Sequence, residues 1–308
     1  MFNLPSPLQK LEHPIAIKFG IDLYVKRDDL IHNEISGNKW RKLKFNIEKY
    51  KHNKYNSILT FGGAYSNHIA ATASSGKLLN IPTIGIIRGE ELNINSNQTL
   101  KNAHKNGMEL IFVSRSKYNE RYDRIYHEEL RSQFGNTLII NEGGANYHGV
   151  IGCGEILSEM NFTPDYVYTA SGTGTTAAGL LLSSVSTKII SVPVFKKGGF
   201  IQNEIKDLLI QFQLGEDELN EKMSLLNLNL TNHFGGYGKH TAELINFINE
   251  FYSFTNLKLD QIYTGKMMFA LINDIKMGKF KAGDKIIALH TGGLQGLSSI
   301  KPLLNFNI

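Results

Sequence analysis

Four short apolar runs in this chain each stop on glycine, and that repeated ending constrains the fold more than any other feature. "SILTF" runs into Gly62-Gly63, "TLIINE" into Gly143-Gly144, "DYVYTA" into Ser171 to Gly174, and "KIIALH" into Thr291 to Gly293. Each run has the length and β-rich content of a buried strand, and glycine lets the backbone turn sharply at its end. Helical spacing lies between these runs. "NHIAATASSGKLL" and "TTAAGLLLSS" place small and apolar residues at helical intervals, and "TLKNAHKNG" closes a helix on glycine. "IPTIGII", "MELIFV" and "KIISVPVF" add further strands, and one long polar helix is expected between "MELIFV" and "TLIINE". The alternation predicts an α/β protein with two lobes, each an open, mostly parallel twisted sheet with helices on both faces. The smaller lobe is placed at 46–147 and the larger at 1–45 plus 148–308.

With 308 residues the chain can bury a core of that size. Its net charge of +5 comes from scattered lysines, without a long basic block interleaved with aromatics. We read that charge as solvation, not as a nucleic-acid footprint. The single cysteine, Cys153, excludes an internal disulfide framework and a cysteine-rich metal site, and no metal is expected. It lies in "VIGCGEIL", which reads as a packed helix holding an inert thiol. The start, "MFNLPSPLQKLEHP", lacks the basic-then-apolar order of a signal peptide, and no stretch approaches the roughly 20 apolar residues that span a bilayer. A cytoplasmic protein without a membrane partner is expected.

Ligands in open α/β sheets bind at the carboxyl ends of strands, where these glycine turns lie. In "YTASGTGTTAAGL" a strand gives way to Gly172, Thr173, Gly174, Thr175 and Thr176 as a helix begins. Converging N–H groups, hydroxyl donors and a helix N-terminus suit a phosphate. The loop has neither the Gly-Lys-Ser/Thr of a Walker loop nor a GxGxxG register, so a tight connection without ligand stands as the alternative. "FGGAYSNHIAATA" is built the same way. Ser66 and Asn67 fit either a helix cap or a seat for a carboxylate, and His68 by itself reads as a packed or solvated histidine. In "SGNKWRKL", Lys39 follows two turn-favouring residues and opens a helix, where the helix dipole disfavours a cation. It is either a solvated lysine or one held there for its amine.

Taken together, "SGNKWRKLKF", "GGAYSNHIAATA", "GTGTTAAGL", "YTGKMM" and "LHTGGLQGL" occur in an order and at spacings that resemble pyridoxal-phosphate enzymes of the tryptophan synthase β-subunit fold type (fold type II). More narrowly, they are similar to the branch holding 1-aminocyclopropane-1-carboxylate (ACC) deaminase and D-cysteine desulfhydrase. The resemblance runs from about residue 5 to about residue 300. It implies pyridoxal 5'-phosphate as cofactor, Lys39 as the lysine joined to it as a Schiff base, and a homodimer acting on a small amino acid. Lys42 resembles the lysine near the cofactor phosphate, and Gly172, Thr173, Gly174, Thr175 and Thr176 the phosphate cradle. Asn67 resembles the residue at the ring hydroxyl, and Ser66, Asn67 and His68 the pocket for the substrate carboxylate. Tyr237 and Tyr263 look like the two active-site tyrosines, so catalytic roles are implied for Lys39, Ser66, Tyr237 and Tyr263.

The deaminase branch carries glutamate after the tyrosine of "YxGK" and leucine near the final glycine turn. This chain has Thr264 and Thr291 there, which the resemblance sets by the pyridine nitrogen. A carboxylate favours protonation of that nitrogen and strengthens the electron sink; a hydroxyl does so less, which suffices for a good leaving group such as thiolate. The implied activity is therefore α,β-elimination from D-cysteine, giving pyruvate, ammonia and hydrogen sulfide. ACC ring opening and an L-serine/threonine dehydratase-like reaction are the alternatives. Tyr65 stands where relatives often have glutamine, and "HIAATA" lacks the arginine and glutamine of a desulfhydrase-like "SNHVRQTA". A non-catalytic module that kept the scaffold is opposed by the retention of Lys39, Ser66, Tyr237 and Tyr263.

Overall fold

The computed structural model describes residues 2–35 and 37–307; Ser36 of the "SGNK" motif lies outside them. By its contacts the chain forms two compact units, one of Met1–His32, Ser36–Asn38 and Cys153–Ile308, the other of Asn33–Ile35 and Lys39–Gly152. Residue 46 lies inside the helix Lys39–His52, and residue 147 begins the helix Tyr147–Ser158. The strands are β1 (Leu8–Lys10), β2 (Asp22–Lys26), β3 (Ser57–Gly63), β4 (Thr83–Arg88), β5 (Met108–Val113), β6 (Thr137–Ile140), β7 (Tyr166–Ser171), β8 (Lys188–Pro193), β9 (Leu226–Leu228) and β10 (Lys285–Leu289).

The smaller unit is built on a four-stranded, wholly parallel sheet in the order β5-β4-β3-β6. β3 is central and almost wholly buried, as expected for a parallel strand covered on both faces. The period of two sorts its side chains. Leu59 and Phe61 join Ile84, Ile86, Tyr118, Tyr126 and Leu130 in one apolar cluster. Ile87 joins Ile69, Ala73, Leu100, Ala103 and Met108 in another. Helices therefore cover both faces, as the sequence predicts. The expected long polar helix is instead two, Arg115–Asn119 and Arg124–Phe134. Asp123 causes the break: its carboxylate accepts from the Ile125 N–H and caps a new helix start.

The larger unit has a six-stranded sheet in the order β1-β2-β10-β7-β8-β9, parallel except where β1 meets β2. Tyr168 and Ala170 of β7 face Met267, Met268 and Leu271 of the helix Thr264–Lys276 in the main apolar cluster. The helix Thr175–Ser183, apolar on nearly every side, is buried against β7 and β8. The edge strands β1 and β9 have three residues each, too few for an alternation the sequence would reveal. Cys153 is buried in the helix Tyr147–Ser158. Among the described residues no helix is long and apolar enough to cross a membrane.

One cap in this unit carries a pH dependence. His13 Nδ1 accepts from the Ile15 N–H at 3.2 Å, starting the helix Pro14–Lys18. Burial, helped by the Lys276 charge, pushes its pKa down from 6.5 to about 4. The unfolded chain binds the extra proton between those values, so stability present above pH 6.5 is lost as pH falls toward 4. His13→Asn, which keeps a capping oxygen, should flatten that acid limb by up to about 3 kcal/mol. Urea unfolding at acid and neutral pH checks it; equal slopes in both proteins refute the assignment.

Candidate active site

In the larger unit, β7 ends in Gly172-Thr173-Gly174 and the helix Thr175–Ser183 starts at once. Gly174 is left-handed at φ 72°, and a Cβ there would lie 2.7 Å from Ile205 Cγ1, so the turn admits only glycine without rearrangement. The Thr173 and Thr175 hydroxyls stand 2.8 Å apart, and Thr176 Oγ1 accepts from Asn38 Nδ2 at 2.7 Å. Asn38 is held a second time, its N–H donating to the Thr291 carbonyl at 3.3 Å. The residue before Lys39 is thus fixed to the glycine-rich loop and to the turn after β10. Lys39 itself is half-buried at the start of the helix Lys39–His52.

Tyr263 packs over the loop, since a Cβ on Gly172 would lie 3.5 Å from its ring. Tyr237 meets Tyr263 edge to face, with centroids 6.3 Å apart, and stacks on Phe195 at 5.6 Å. The structure gives the two threonines different surroundings. Thr264 is fully buried, and its hydroxyl donates to Asp260 Oδ1 at 2.7 Å while accepting from the Asp260 N–H at 2.9 Å. Asp260 also accepts from the N–H groups of Ile262, Tyr263 and Thr264, so Thr264 belongs to the cap of its own helix. Thr291 is nearly buried, and its carbonyl accepts from the Asn38 N–H.

The smaller unit brings together Lys42, Ser66, Asn67 and His68. Ser66 is the N-cap of the helix Asn67–Leu79, its Oγ accepting from the Ile69 N–H at 3.2 Å. The first-turn N–H groups of Asn67 and His68 have no carbonyl acceptor within that helix. Gly144, at φ 75°, packs on Lys42 and His68: a Cβ there would lie 2.9 Å from Lys42 Cβ and 3.4 Å from His68 Cε1. Lys42 is buried.

Hydrogen-bond accounting fixes the state of His68. Its Nε2 lies 3.0 Å from Thr60 Oγ1, and that hydroxyl donates its proton to the Ile140 carbonyl. The ring is therefore assigned an Nε2–H that donates to Thr60, leaving Nδ1 as an acceptor without a partner among the described residues. Burial, and then the Lys39 and Lys42 charges, hold its pKa well below the usual imidazole range, so the ring is neutral. With that tautomer the ring offers no proton to a carboxylate, which leaves Ser66 and the backbone N–H groups as donors to an anion.

Sequence reading missed three residues. Asp260 was detectable as an acidic residue just ahead of a helix start. Lys266 is part of the quoted "YTGK", but its partners lie some thirty residues upstream. Thr60, inside an apolar strand run, gave no signal.

Residues 1–292 match the pyridoxal-phosphate-dependent enzyme family. The chain is 30% identical to a bifunctional D-cysteine desulfhydrase/1-aminocyclopropane-1-carboxylate deaminase, mitochondrial, of Arabidopsis thaliana, over 96% of this chain and 78% of that one. It is 31% identical to a putative 1-aminocyclopropane-1-carboxylate deaminase of Pyrococcus furiosus, over 94% and 90% of the two chains. Among solved structures, an ACC deaminase homologue superposes with a TM-score of 0.80 at 26% identity, covering 98% of this chain and 95% of the other. The family match over residues 1–292, the kinship with these relatives and the shared fold lead to one conclusion: the chain belongs to the pyridoxal-phosphate-dependent enzyme family, with the type II fold.

Proposed function

We propose that the protein is a lyase that carries out α,β-elimination on a small D-amino acid, with D-cysteine as the best substrate. One D-cysteine and one water give pyruvate, ammonia and hydrogen sulfide. The observation that carries the reading is the residue type at two positions: Thr264 and Thr291 are hydroxyls where the deaminase branch carries glutamate and leucine.

The residues fit the cofactor. The Gly172–Thr176 turn is a cradle that a Cβ at Gly174 would disturb, and it presents hydroxyls and helix N–H groups suited to a phosphate. In this reading, which rests on the family resemblance, Lys42 would add positive charge for that phosphate, Asn67 would serve the ring hydroxyl and Thr291 the ring nitrogen. Lys39 supplies the amine that attaches the cofactor covalently. Bound pyridoxal phosphate supplies the electron sink for the pair left at the α-carbon. Lys39, the residue that would hold the cofactor, would also be the base placed to take the α-proton. Ser66 and the N–H groups of Asn67 and His68 orient the substrate carboxylate. Tyr237 and Tyr263 flank the reacting group, where a phenol can give a proton to the departing thiolate.

ACC has no α-proton, and its ring carbon is a poor leaving group, so a weak sink disfavours it. The bifunctional name of the Arabidopsis relative makes ring opening the second reading. The same proposal includes a cytoplasmic homodimer, in keeping with a single buried thiol and the family resemblance; sedimentation checks the dimer.

An assay across D-cysteine, L-cysteine, D-serine and ACC tests the reading. We expect sulfide and pyruvate from D-cysteine and little 2-ketobutyrate from ACC. Comparable efficiency on ACC would replace the desulfhydrase reading with the deaminase, and turnover of L-substrates alone would favour the dehydratase.

A further inference from the structure

The motif Tyr263-Thr264-Gly265-Lys266 ends on a lysine with no solvent exposure. It lies in the first turn of the helix Thr264–Lys276, where the helix dipole disfavours a cation. No carboxylate pairs with it among the described residues. Burial, partly offset by the nearby Asp260 charge, lowers its pKa to about 8. A methionine would fill the same volume without the cost of desolvating an amine, so the amine needs a reason.

Its partners supply one. Lys266 Nζ donates to the carbonyls of His233 and Gly236, both at 2.8 Å. These belong to a turn in which Phe234, Gly235, Gly236 and Gly238 all have positive φ. The turn closes on itself, with the Gly236 N–H donating to the His233 carbonyl at 3.0 Å, the Lys239 N–H to the Gly236 carbonyl at 3.1 Å and the Gly235 N–H to His233 Nδ1 at 3.1 Å, but its glycines leave the backbone permissive. Besides Lys266, it is anchored by Phe234, which packs edge-on to Phe269 with centroids 4.8 Å apart. The next residue after Gly236 is Tyr237, 41% exposed, whose ring touches Phe195 and Tyr263. Lys266 lies three residues after Tyr263, so a single side chain ties the turn bearing one tyrosine to the helix start bearing the other.

We propose that Lys266 is a positioning residue that clamps the His233–Gly236 turn and thereby sets Tyr237 against Tyr263. The clamp outlasts titration of the amine, because a neutral amine still offers two N–H groups for two carbonyls. Its catalytic consequence rests on the reading above, in which the two tyrosines flank the reacting group.

The test uses the cofactor-loaded protein with 3-fluorotyrosine placed at position 237, read by fluorine NMR without substrate. The wild type should give one resonance shifted by the neighbouring rings. Lys266→Met, which keeps the stem and removes the donors, should move that resonance toward the value of free fluorotyrosine. Lys266→Gln, shorter and able to reach one carbonyl, should fall between them and serves if the methionine variant does not fold. Turnover gives the second readout. Lys266→Met should lower kcat at least about tenfold in the wild-type background and less than about twofold in a Tyr237→Phe background, because misplacing a group has no effect once its chemistry is gone. An unchanged resonance in a folded variant, or equal losses in both backgrounds, overturns the proposal. If no substrate turns over, the fluorine spectrum still decides the clamp independently of the lyase reading.

Discussion

Lys39→Ala is expected to lower turnover at least about 10³-fold, because in the proposed reading one amine would both attach the cofactor and take the substrate proton. The expectation has a geometric basis. Asn38, the preceding residue, is fixed by its side chain to Thr176 and by its N–H to the Thr291 carbonyl. That anchor sets where the chain enters the helix that Lys39 begins, at the end where the helix dipole disfavours a cation. The Gly172–Thr176 turn, proposed to hold the phosphate, does not depend on that amine. The variant should therefore still bind pyridoxal phosphate, without a covalent link. Borohydride reduction followed by mass mapping should find the adduct on the Lys39 peptide of the wild type and none on the variant. An adduct on another lysine, or near-normal turnover by Lys39→Ala, would remove Lys39 from the site.

Gly37→Ala is expected to destabilise the fold by about 3–5 kcal/mol through two separable terms. Gly37 is left-handed at φ 65°, which costs an L-residue about 1–2 kcal/mol. A Cβ there would also lie 1.7 Å from the Thr291 carbonyl oxygen and 2.4 Å from its carbon. Those are backbone atoms at the end of β10, so they cannot rotate out of the way as a side chain would. Gly107→Ala serves as the control. It has φ 87° and nothing within 4 Å of its Cβ position, so it pays the backbone term alone. Thermal melts should show Gly37→Ala well below Gly107→Ala. Relieving the clash must move the turn after β10 or the residues leading into Lys39, so cofactor retention should fall with stability. Equal melting points for the two variants would show that the Gly37 contact relaxes freely.

What the order of residues determined was local. A strand followed by glycine and then by a capped helix is an arrangement of neighbours, and its signals lie within a few residues of one another. That is why the helix at Asn67–Leu79, with Ser66 as its cap, could be read from "SNHIAATASSGKLL". It is also why the glycine turn that opens the helix Thr175–Ser183 could be read from "YTASGTGTTAAGL". The long polar helix was misread for the same reason inverted: Asp123 is a weak local signal that competes with helical spacing on either side. The tertiary structure decided what each polar side chain is for. Asn38 meets Thr176 across 138 positions, so its part in fixing Lys39 depends on how distant strands register. Thr264 was read toward the cofactor by resemblance, and only the fold adds the bond from its hydroxyl to Asp260. The proton on His68 follows from Thr60 and Ile140 on two paired strands, and the amine of Lys266 from two carbonyls of a remote turn. A hydrogen bond is set by distance and direction in space, and for groups far apart along the chain those quantities exist only once the chain has folded.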